Sequence, residues 1–327
     1  MLYFTSPIGL GHASRDIAIA SAFNARFVTG EPAYAHLKSN GFEAVNAYRR
    51  MDIKTEHGSF TNKLSWMLDY ISYYRECKEI ASMIIKEYNP DLIISDEDFA
   101  AISVSNCKKV LITDIFESRF LNGLGSLLER SMNKRLKKII ASADIVIAPM
   151  HGDDHDNIVY TGPIVRKIDK SRDELRREFG FDGKVIVACI GGTSAGKFLL
   201  DAVIKAYDAI KDRARLIIVA GPSLDYNADI EHYSYVKNLH EMIYAADLLI
   251  SLAGRSTIDE AKVYGTPAIF IPIKGHFEQE ANAMEEGFRF DDINRLDELI
   301  LEYLEKGRCI RAENGVGKAI SAIKSII

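Results

Sequence analysis

The chain has 327 residues, which suggests roughly two domains, each long enough to form its own hydrophobic core. Its formal net charge of −5 provides no basic excess to displace phosphate counterions, which argues against bulk binding to nucleic acid. The four cysteines lie far apart without a CxxC pair, so neither a zinc site nor a disulfide framework is predicted. Reduced thiols in a cytoplasmic protein are the expectation.

The N-terminus reads MLYFTSPIGLGH and lacks the basic flank and apolar core of a signal peptide. No apolar run elsewhere approaches the roughly 20 residues needed to span a bilayer. We therefore expect a soluble protein, attached to a membrane only at its surface if at all.

Strands and helices alternate along the whole chain, which favours parallel sheets built from βα units. Strands are predicted near residues 2–5, 25–28, 91–95, 109–113, 144–148, 185–190, 215–220, 247–251 and 268–271. Helices are predicted near residues 12–23, 62–87, 120–141, 196–211, 256–263, 278–286 and 311–327. The Gly162-Pro163 pair interrupts the pattern, so we predict a linker there, between domains of residues 1–162 and 163–310.

A glycine-rich turn, Gly9-Leu10-Gly11, follows the first strand and leads into a helix near His12. Glycines let the backbone pass close to a ligand, and a helix N-terminus attracts anions. Ala13-Ser14 stands where the dinucleotide fingerprint needs its third glycine, so a dinucleotide site is not predicted. A histidine that titrates near neutrality suits a general base, although His12 could instead cap the helix or contact substrate.

Two further turns follow strands at the sheet edge where open α/β folds bind ligands. Three acids, Asp96, Glu97 and Asp98, follow the strand near 91–95 and could equally cap the next helix. A Gly-Gly-Thr-Ser-Ala-Gly turn follows the strand near 185–190, and its amides and hydroxyls could cradle a diphosphate. This turn is no P-loop, since Phe198 stands where that motif needs Ser or Thr, which leaves a phosphotransferase as a remote alternative.

The segment 248–283 contains more features typical of a ligand-binding site than any other part of the chain. It reads as an apolar strand, an Ala-Gly turn, a helix that opens with Ser256 and Thr257, and an acid at Glu260. A Gly-Thr-Pro stop, another strand and a loop with Gln-x-x-Asn-Ala complete it. The helix N-terminus would attract phosphate, and Glu260, one turn further, could accept hydrogen bonds from a ribose.

Together these segments resemble the nucleotide-sugar site of GT-B glycosyltransferases, in particular the family of the lipid II N-acetylglucosaminyl transferase and the UDP-glycosyltransferases. The Gly-x-Gly-His-x-x-Arg loop and the Gly-Pro-x-x-Arg linker are similar to that family as well. The resemblance implies an α/β fold of two doubly wound Rossmann-like domains that face each other across a cleft. It also implies that the last helix, 311–327, crosses back to the first domain.

The resemblance further implies an inverting transfer, with His12 as general base and Asp96 as the carboxylate that orients it. Gly9, Gly11 and Arg15 would form the acceptor-side loop of the first domain. The donor would be bound by the second domain through Gly192, Thr193, Ser194, Gly254, Arg255, Ser256, Thr257, Glu260, Glu278, Gln279 and Asn282.

Within the donor set, the helix start would meet the diphosphate, Glu260 the ribose and Gln279 the sugar hydroxyls. Asn282 would support the loop or the phosphate. Arg255 departs from the family, which usually has a small residue or histidine at that place. Its guanidinium could neutralise the diphosphate, but we expect it to point to solvent.

No metal or other cofactor is expected beyond the nucleotide sugar, because in this family helix N-termini stabilise the departing diphosphate. The loop His151–Asp156 has the composition of a metal site, but acids packed in a loop are usually just solvated. The DxD-like triplet at 96–98 is also discounted as a metal motif, since the nucleotide signals lie after residue 185.

Apolar and basic residues alternate over residues 119–140. The apolar ones are Phe120, Leu121, Leu124, Leu127 and Leu128, and the basic ones are Arg130, Lys134, Arg135, Lys137 and Lys138. Such a segment could rest on an anionic membrane and so reach a lipid-linked acceptor. A core helix with a solvated basic face is the more usual alternative.

The predicted function is transfer of a hexose or N-acetylhexosamine from a nucleotide sugar to an acceptor hydroxyl, with UDP as the expected nucleotide. A UDP-N-acetylglucosamine 2-epimerase-like enzyme and a non-catalytic sugar-nucleotide binding protein are the alternatives, because a fold alone does not decide activity. The sequence indicates neither the acceptor nor the oligomeric state.

Overall fold

The computed structural model describes residues 1–51, 53–119 and 125–327, without the side chains of residues 125 and 128. Its strands are β1 (Leu2–Thr5), β2 (Arg26–Gly30), β3 (Ala44–Tyr48), β4 (Thr55–Glu56), β5 (Ser59–Phe60), β6 (Leu92–Asp96), β7 (Lys108–Ile112), β8 (Ile145–Ala148), β9 (Ile158–Tyr160), β10 (Val185–Cys189), β11 (Arg215–Val219), β12 (His232–Tyr233), β13 (Leu248–Leu252) and β14 (Ala268–Ile271).

Its α-helices are α1 (Gly11–Ala20), α2 (Ala33–Ser39), α3 (Lys63–Tyr88), α4 (Phe99–Val104), α5 (Gly125–Ala141), α6 (Arg172–Glu178), α7 (Lys197–Tyr207), α8 (Leu239–Ala245), α9 (Arg255–Tyr264), α10 (Phe277–Glu285), α11 (Leu296–Leu304) and α12 (Val316–Lys324). Short 3₁₀ turns cover Ser194–Gly196 and Phe290–Arg295. Phe120, Leu121 and Leu124, predicted as part of an amphipathic helix, lie outside the described residues.

The chain forms two compact units. The first contains residues 1–51, 62–165 and 314–327, and the second contains residues 52–61 and 166–313. The predicted boundary at 162/163 therefore lies three residues before the observed change of unit. Residues 52–61, which we assigned to the first domain, belong to the second unit instead.

The first unit is built on a parallel sheet of seven strands in the order β3-β2-β1-β6-β7-β8-β9. Helices α3, α4 and α5 bury residues such as Tyr73 and Ile140 on one face of this sheet. Helices α1, α2 and α12 bury residues such as Ile17, Leu37 and Ile323 on the other. Strands covered on both faces are apolar throughout, which explains their continuous hydrophobic runs.

The second unit is built on a parallel sheet of five strands in the order β12-β11-β10-β13-β14. Every residue of the central strands β10 and β13 is buried, as expected for a parallel sheet covered on both faces, and the edge strand β14 is buried throughout as well. In each sheet the first strand along the chain, β1 or β10, lies in the interior, and later strands are added on both of its sides. The predicted α/β class with two doubly wound domains is therefore confirmed.

The C-terminal helix α12 packs on the first unit, as predicted. Asn314 fastens the chain just before this helix, because its side chain exchanges two hydrogen bonds with the backbone of Val165 (2.8 and 3.3 Å). Ala319 and Ile323 of α12 are fully buried in the core that also holds Ile17. The last helix thus closes one face of the first sheet.

Over the described ranges 1–51, 53–119 and 125–327, no helix is both long enough and apolar enough to cross a membrane.

We predict that Ile323→Ala lowers the free energy of unfolding of the first unit by about 2–5 kcal/mol, because the cut-back side chain leaves a cavity in a closed core. The matched control is Ile327→Ala, since Ile327 is 66% exposed and should change stability by about 0.5 kcal/mol or less. Urea unfolding followed by the fluorescence of Trp66, the chain's one tryptophan, measures both. Equal effects of the two substitutions would contradict the packing of α12.

Candidate active site

The first candidate site lies where the strand order of the first sheet reverses, between β1 and β6. Thr5 at the end of β1 pairs with Asp96 at the end of β6. Chains that leave such neighbouring strands in opposite directions open a crevice at their carboxyl ends. Gly9, with φ at +83°, turns the chain there into α1, which begins at Gly11 and carries His12 in its first turn.

This topology brings His12 and Asp96 together although 84 residues separate them. His12 Nδ1 lies 3.0 Å from Asp96 Oδ1, and the Asp96 side chain is fully buried. A carboxylate facing Nδ1 favours the tautomer that carries its proton there, which makes Nε2 the basic nitrogen. The two predicted residues are therefore in direct contact, with the geometry that a base and an orienting carboxylate require.

Arg15 does not belong to the open loop to which we assigned it. Its side chain is only 3% exposed and forks onto Asp96, with Nε to Oδ2 at 2.8 Å and Nη2 to Oδ1 at 2.6 Å. Burial disfavours the ionised form of Asp96, but the charges and hydrogen bonds of Arg15 and His12 together outweigh it, and the pKa of Asp96 lies well below its usual range. Arg15 therefore keeps Asp96 a carboxylate beneath His12.

A second buried acid, Asp16, supports this arrangement from below. It accepts hydrogen bonds from the Tyr3 hydroxyl (2.7 Å) and from Thr5 Oγ1 (2.6 Å). Burial, and then the neighbouring charge of Asp96, raise the pKa of Asp16 well above its ordinary value. Two close buried carboxyls with pKa values pushed apart share one negative charge, and here that charge stays on Asp96.

Glu97 is a residue of this site that our sequence analysis missed. Its backbone is left-handed, with φ at +54°, and its Oε2 lies 3.6 Å from His12 Nε2. Thr113 donates to Glu97 Oε1 at 3.2 Å. Burial and the nearby Asp114 raise the pKa of Glu97 well above its ordinary value.

The third acid of the triplet, Asp98, acts as the helix cap that the sequence allowed. It accepts from the backbone N–H of Ala101 at 3.0 Å, at the start of α4, and from the Tyr48 hydroxyl at 2.6 Å. The three consecutive acids therefore serve three different purposes. The position of Glu97 between two structural carboxylates was the sequence feature that could have indicated its role. The order of the residues does not, however, reveal the left-handed backbone at Glu97.

The second candidate site lies at the corresponding place in the second sheet, between β10 and β13. Cys189 pairs with Ser251, so the Gly-Gly-Thr-Ser turn after β10 and the Ala-Gly turn after β13 leave the sheet side by side. A Cβ on Gly196 would lie 2.6 Å from the Ile190 side chain, so the close return of this turn to the sheet requires glycine. Ser223 Oγ steadies the turn by donating to the carbonyl of Gly192 at 2.5 Å.

Helix α9 begins at this second site with Gly254 at its N-cap and Ser256 and Thr257 in its first turn. Its first backbone bond joins the N–H of Ile258 to the carbonyl of Gly254 at 3.2 Å. The amides before that bond form the positive end of the helix, where phosphate binds well. Asn282 is buried and donates to the carbonyl of Ala253 at 3.2 Å, so of its two predicted roles it supports the loop.

Glu260 lies one turn further along α9, as predicted, and its carboxyl is partly buried. Burial raises the pKa of Glu260 to about 8, while the charge of Arg166 opposes this rise and that of Asp259 adds to it. A carboxyl with such a displaced pKa beside a helix N-terminus is typical of a binding or catalytic site.

The loop between β14 and α10 is held by its own polar side chains. Gln279 Oε1 accepts from the backbone N–H of Ile273 at 3.0 Å, and His276 Nδ1 accepts from the backbone N–H of Gln279 at 3.4 Å. His276 therefore caps α10, and the carbonyl oxygen of Gln279 braces the loop. Glu278 stands beside them in the first turn of α10.

The expectation that Arg255 points to solvent is wrong. Its side chain is only 14% exposed and Nη1 lies 3.4 Å from Oε2 of Glu285. Because Arg255 pairs with Glu285, a half-exposed residue of α10, its guanidinium lies against the protein surface and does not extend into water.

A hairpin that the sequence did not indicate braces both loops of the second site. It is formed by β4 and β5, and Thr55 Oγ1 donates to the carbonyl of Ala195 at 3.1 Å. The backbone of Lys274 exchanges two hydrogen bonds with the hairpin, at 2.8 and 2.9 Å. The ring of Phe60 lies 6.2 Å from that of His276. We call this element, residues 53–61, the bracing hairpin.

The acidic loop at 151–156 is exposed, and Asp154 binds Lys318 at 2.9 Å and the backbone N–H of Tyr160 at 2.8 Å. In the part of the chain that the structure describes, no three His, Cys, Asp or Glu side chains are grouped to hold a metal ion.

Comparison with known proteins places these sites in context. Residues 186–287 match the model of the glycosyltransferase family 28 C-terminal domain. An uncharacterized glycosyltransferase of Methanopyrus kandleri is 24% identical over 292 residues, covering 84% of this chain and 83% of that protein. The UDP-N-acetylglucosamine–N-acetylmuramyl-(pentapeptide) pyrophosphoryl-undecaprenol N-acetylglucosamine transferase of Desulforamulus reducens is 25% identical over 239 residues, covering 65% and 63%.

Solved structures share the fold over the full chain. The glycotransferase of kitacinnamycin superposes with a TM-score of 0.66 at 13% identity, over 99% of this chain and 98% of that one. A Listeria monocytogenes protein described as a UDP-N-acetylglucosamine 2-epimerase superposes with a TM-score of 0.60 at 13% identity, over 100% and 96%. The matched residues 186–287 contain both turns of the second site. The protein is thus a glycosyltransferase with the GT-B fold, and residues 186–287 within its second unit match the glycosyltransferase family 28 C-terminal domain.

Proposed function

We propose that this protein transfers a hexosyl or N-acetylhexosaminyl group from a nucleotide sugar to an acceptor hydroxyl, with inversion at the anomeric carbon. The observation that carries the proposal is the buried Arg15–Asp96–His12 chain, which ends in a basic Nε2 at a sheet edge. A buried carboxylate stabilises the imidazolium that forms when His12 takes a proton. A purely structural histidine would not need its partner to be held ionised in this way.

In the proposed reaction His12 Nε2 takes the proton of the acceptor hydroxyl as its oxygen attacks the anomeric carbon. The bond from that carbon to the diphosphate oxygen breaks, and the nucleoside diphosphate leaves with the electron pair. A single displacement of this kind inverts the anomeric configuration. The N-terminus of α9, around Gly254, Ser256 and Thr257, would stabilise the developing negative charge on the diphosphate.

The donor nucleotide is proposed to be UDP, with its ribose hydroxyls bound by Glu260. The partial burial of Glu260 near the start of α9 supports this role, because a carboxylate there can accept two hydroxyl donors with less competition from water than at the open surface. Thr193 and Ser194 on the neighbouring turn, and Gln279 and Glu278 on α10, would contact the diphosphate and the sugar.

A lipid-linked acceptor is part of the proposal. The Desulforamulus relative is named for an undecaprenol-linked acceptor, and α5 of this chain presents an exposed basic face. Its exposed basic residues are Arg130, Lys134, Arg135, Lys137 and Lys138. Leu127, on the same helix, is 62% exposed. Such a surface suits contact with the headgroups of an anionic membrane at which a lipid-linked substrate would be met.

We predict that UDP-sugars raise the melting temperature by about 5–10 °C at a ligand concentration about 100 times Kd, and that dTDP- and GDP-sugars do so less. Glu260→Ala should remove most of this shift, because the ribose loses its acceptor. Glu298→Ala, an exposed acid on α11, is the control and should leave the shift intact. A thermal-shift panel measures all three proteins. The donor assignment fails if Glu260→Ala binds as the wild type does.

We predict that His12→Ala lowers kcat for transfer by about 10²–10⁴-fold, because the acceptor hydroxyl loses its base, while the affinity for the UDP-sugar stays unchanged. Release of UDP in the presence of a panel of glycoside and lipid-linked acceptors measures the rate, and NMR of the product gives its anomeric configuration. His155→Ala, in an exposed loop, is the matched control. Retention of configuration would exclude the single displacement.

The same assay separates the two alternatives. An epimerase-like activity, which the fold shared with the Listeria protein makes worth testing, would yield an isomerised nucleotide sugar without any acceptor. A non-catalytic binding protein would bind the UDP-sugar but turn it over at background, and His12→Ala would change nothing.

We predict that affinity for the UDP-sugar rises with pH up to the pKa of Glu260, about 8, and is then constant. The carboxylate is the form that accepts ribose hydroxyls, so below pH 8 each unit of pH costs about tenfold in affinity, because the proton must first be lost. Isothermal titration between about pH 6 and 9 measures this dependence. Glu260→Gln should flatten the profile; an unchanged slope in that variant would assign the titration to another group.

A further inference from the structure

The tip of the bracing hairpin is packed tightly against the second unit. His57 and Gly58 have positive φ, at +47° and +76°, as a two-residue type I′ turn between β4 and β5 requires. A Cβ on Gly58 would lie 2.7 Å from the ring of Phe290 and 2.8 Å from that of Phe198. The tip therefore approaches these two rings as closely as it does only because residue 58 is glycine. This close fit gives the hairpin one defined position.

The first strand of the hairpin holds the Gly-Gly-Thr-Ser turn after β10. Thr55 Oγ1 donates to the carbonyl of Ala195 at 3.1 Å, and Ala195 is buried directly after Ser194. This carbonyl belongs to the planar peptide unit that joins Ala195 to Gly196, so the bond fixes the orientation of that unit. Thr55 thus fixes the end of the turn that we propose to contact the diphosphate and the sugar.

The second strand of the hairpin holds the loop between β14 and α10. The backbone N–H of Phe60 donates to the carbonyl of Lys274 at 2.8 Å, and the N–H of Lys274 donates to the carbonyl of Gly58 at 2.9 Å. The buried ring of Phe60 faces that of His276, with 6.2 Å between the ring centroids. His276 caps α10 at Gln279, so Phe60 packs against the residue that fixes the start of this helix.

The proposed ribose site belongs to a different element. Glu260 lies on α9, which is anchored by Ile258 and Ala261, both fully buried. The bonds of Thr55, Gly58 and Phe60 described above reach the turn after β10 and the loop after β14 instead. The hairpin therefore supports the part of the site assigned to the diphosphate and the sugar, whereas α9 holds the part assigned to the ribose.

We infer that the bracing hairpin positions the sugar end of the donor, with Thr55 and Phe60 as positioning residues that fix the two loops before the ligand binds. Loops already held in their bound conformation lose less conformational freedom on binding, so affinity rises without any new contact. The effect falls on UDP-sugars and not on UMP, which has neither the second phosphate nor the sugar. The inference rests on the proposed function for the identity of the donor.

Isothermal titration of the full chain with UDP-glucose, UDP-N-acetylglucosamine and UMP tests the inference. Thr55→Val keeps a similar shape but removes the hydroxyl, and Phe60→Leu removes the ring. Each should weaken binding of the preferred UDP-sugar by about three- to tenfold, while the affinity for UMP stays within about twofold of the wild type. Thr55→Ser keeps the donor and should bind the UDP-sugar as the wild type does.

Two substitutions of the same kind elsewhere in the second unit are the matched controls. Thr266→Val removes a hydroxyl that donates to the carbonyl of Ile243 at 2.9 Å, just before β14 and so at the opposite edge of the sheet. Phe179→Leu removes a ring whose centroid lies 5.3 Å from that of Phe181. Both should lower the melting temperature, because a buried bond or a ring contact is lost, yet leave the affinities for UDP-sugar and UMP unchanged.

Unchanged UDP-sugar binding in both hairpin variants would overturn the inference. An equal loss for UDP-sugar and UMP would also overturn it, since the hairpin would then support the unit as a whole. A loss in Thr55→Ser as large as that in Thr55→Val would exclude the role of the bond to Ala195. Should Thr55→Val not fold, Phe60→Leu decides alone.

The wild type separates this inference from the proposed function. If it binds neither UMP nor a UDP-sugar, the proposed donor is refuted and the inference falls with it. If it binds both and the hairpin variants do so equally well, the inference alone is refuted.

Discussion

The first unit depends on one buried interaction, the fork of Arg15 onto Asp96. An ionised carboxylate buried without compensation is among the costliest features a protein core can contain, and it is tolerated only when paired and hydrogen-bonded. Arg15 supplies both, and it reaches Asp96 because one turn of α1 separates it from His12. The three-residue spacing on α1 therefore brings both the imidazole of His12 and the guanidinium of Arg15 into contact with the carboxylate of Asp96.

The charge distribution around His12 follows from that pair. With Asp96 held ionised, each neighbouring acid is pushed toward its neutral form, and both Asp16 and Glu97 show raised pKa values. The cluster thus carries one firm negative charge under the imidazole and weaker acids around it. Three acids of similar chemistry acquire different states through position alone.

Much of the fold and part of the site could be predicted from sequence. Buried parallel strands are uniformly apolar, so the apolar runs predicted the strands. The turns after β1, β10 and β13 contain glycine, so their residue types predicted the turns. The partnership of His12 with Asp96 rested on a family pattern and on the rule that carboxyl strand ends converge. Each of these features is either visible in a short stretch of sequence or follows from the order in which parallel strands are connected.

The features that sequence reasoning missed depend on packing between distant segments. Arg15 looked like a loop residue because nothing local shows that the inner face of α1 is polar. The aim of Glu97 depends on a left-handed backbone that its residue type does not favour. The bracing hairpin has strands of two residues, too short to leave a period in the sequence.

The bracing hairpin also bears on how the chain is made. It is synthesised early, yet its partners Ala195 and Lys274 follow it by 140 and about 215 residues. As the chain leaves the ribosome, residues 53–61 therefore remain without their final contacts until most of the second unit exists. Completion of the loops of the second site is then a late, long-range event in biosynthesis, with the high contact order that slows folding. A fragment limited to residues 166–313 would lack this element altogether.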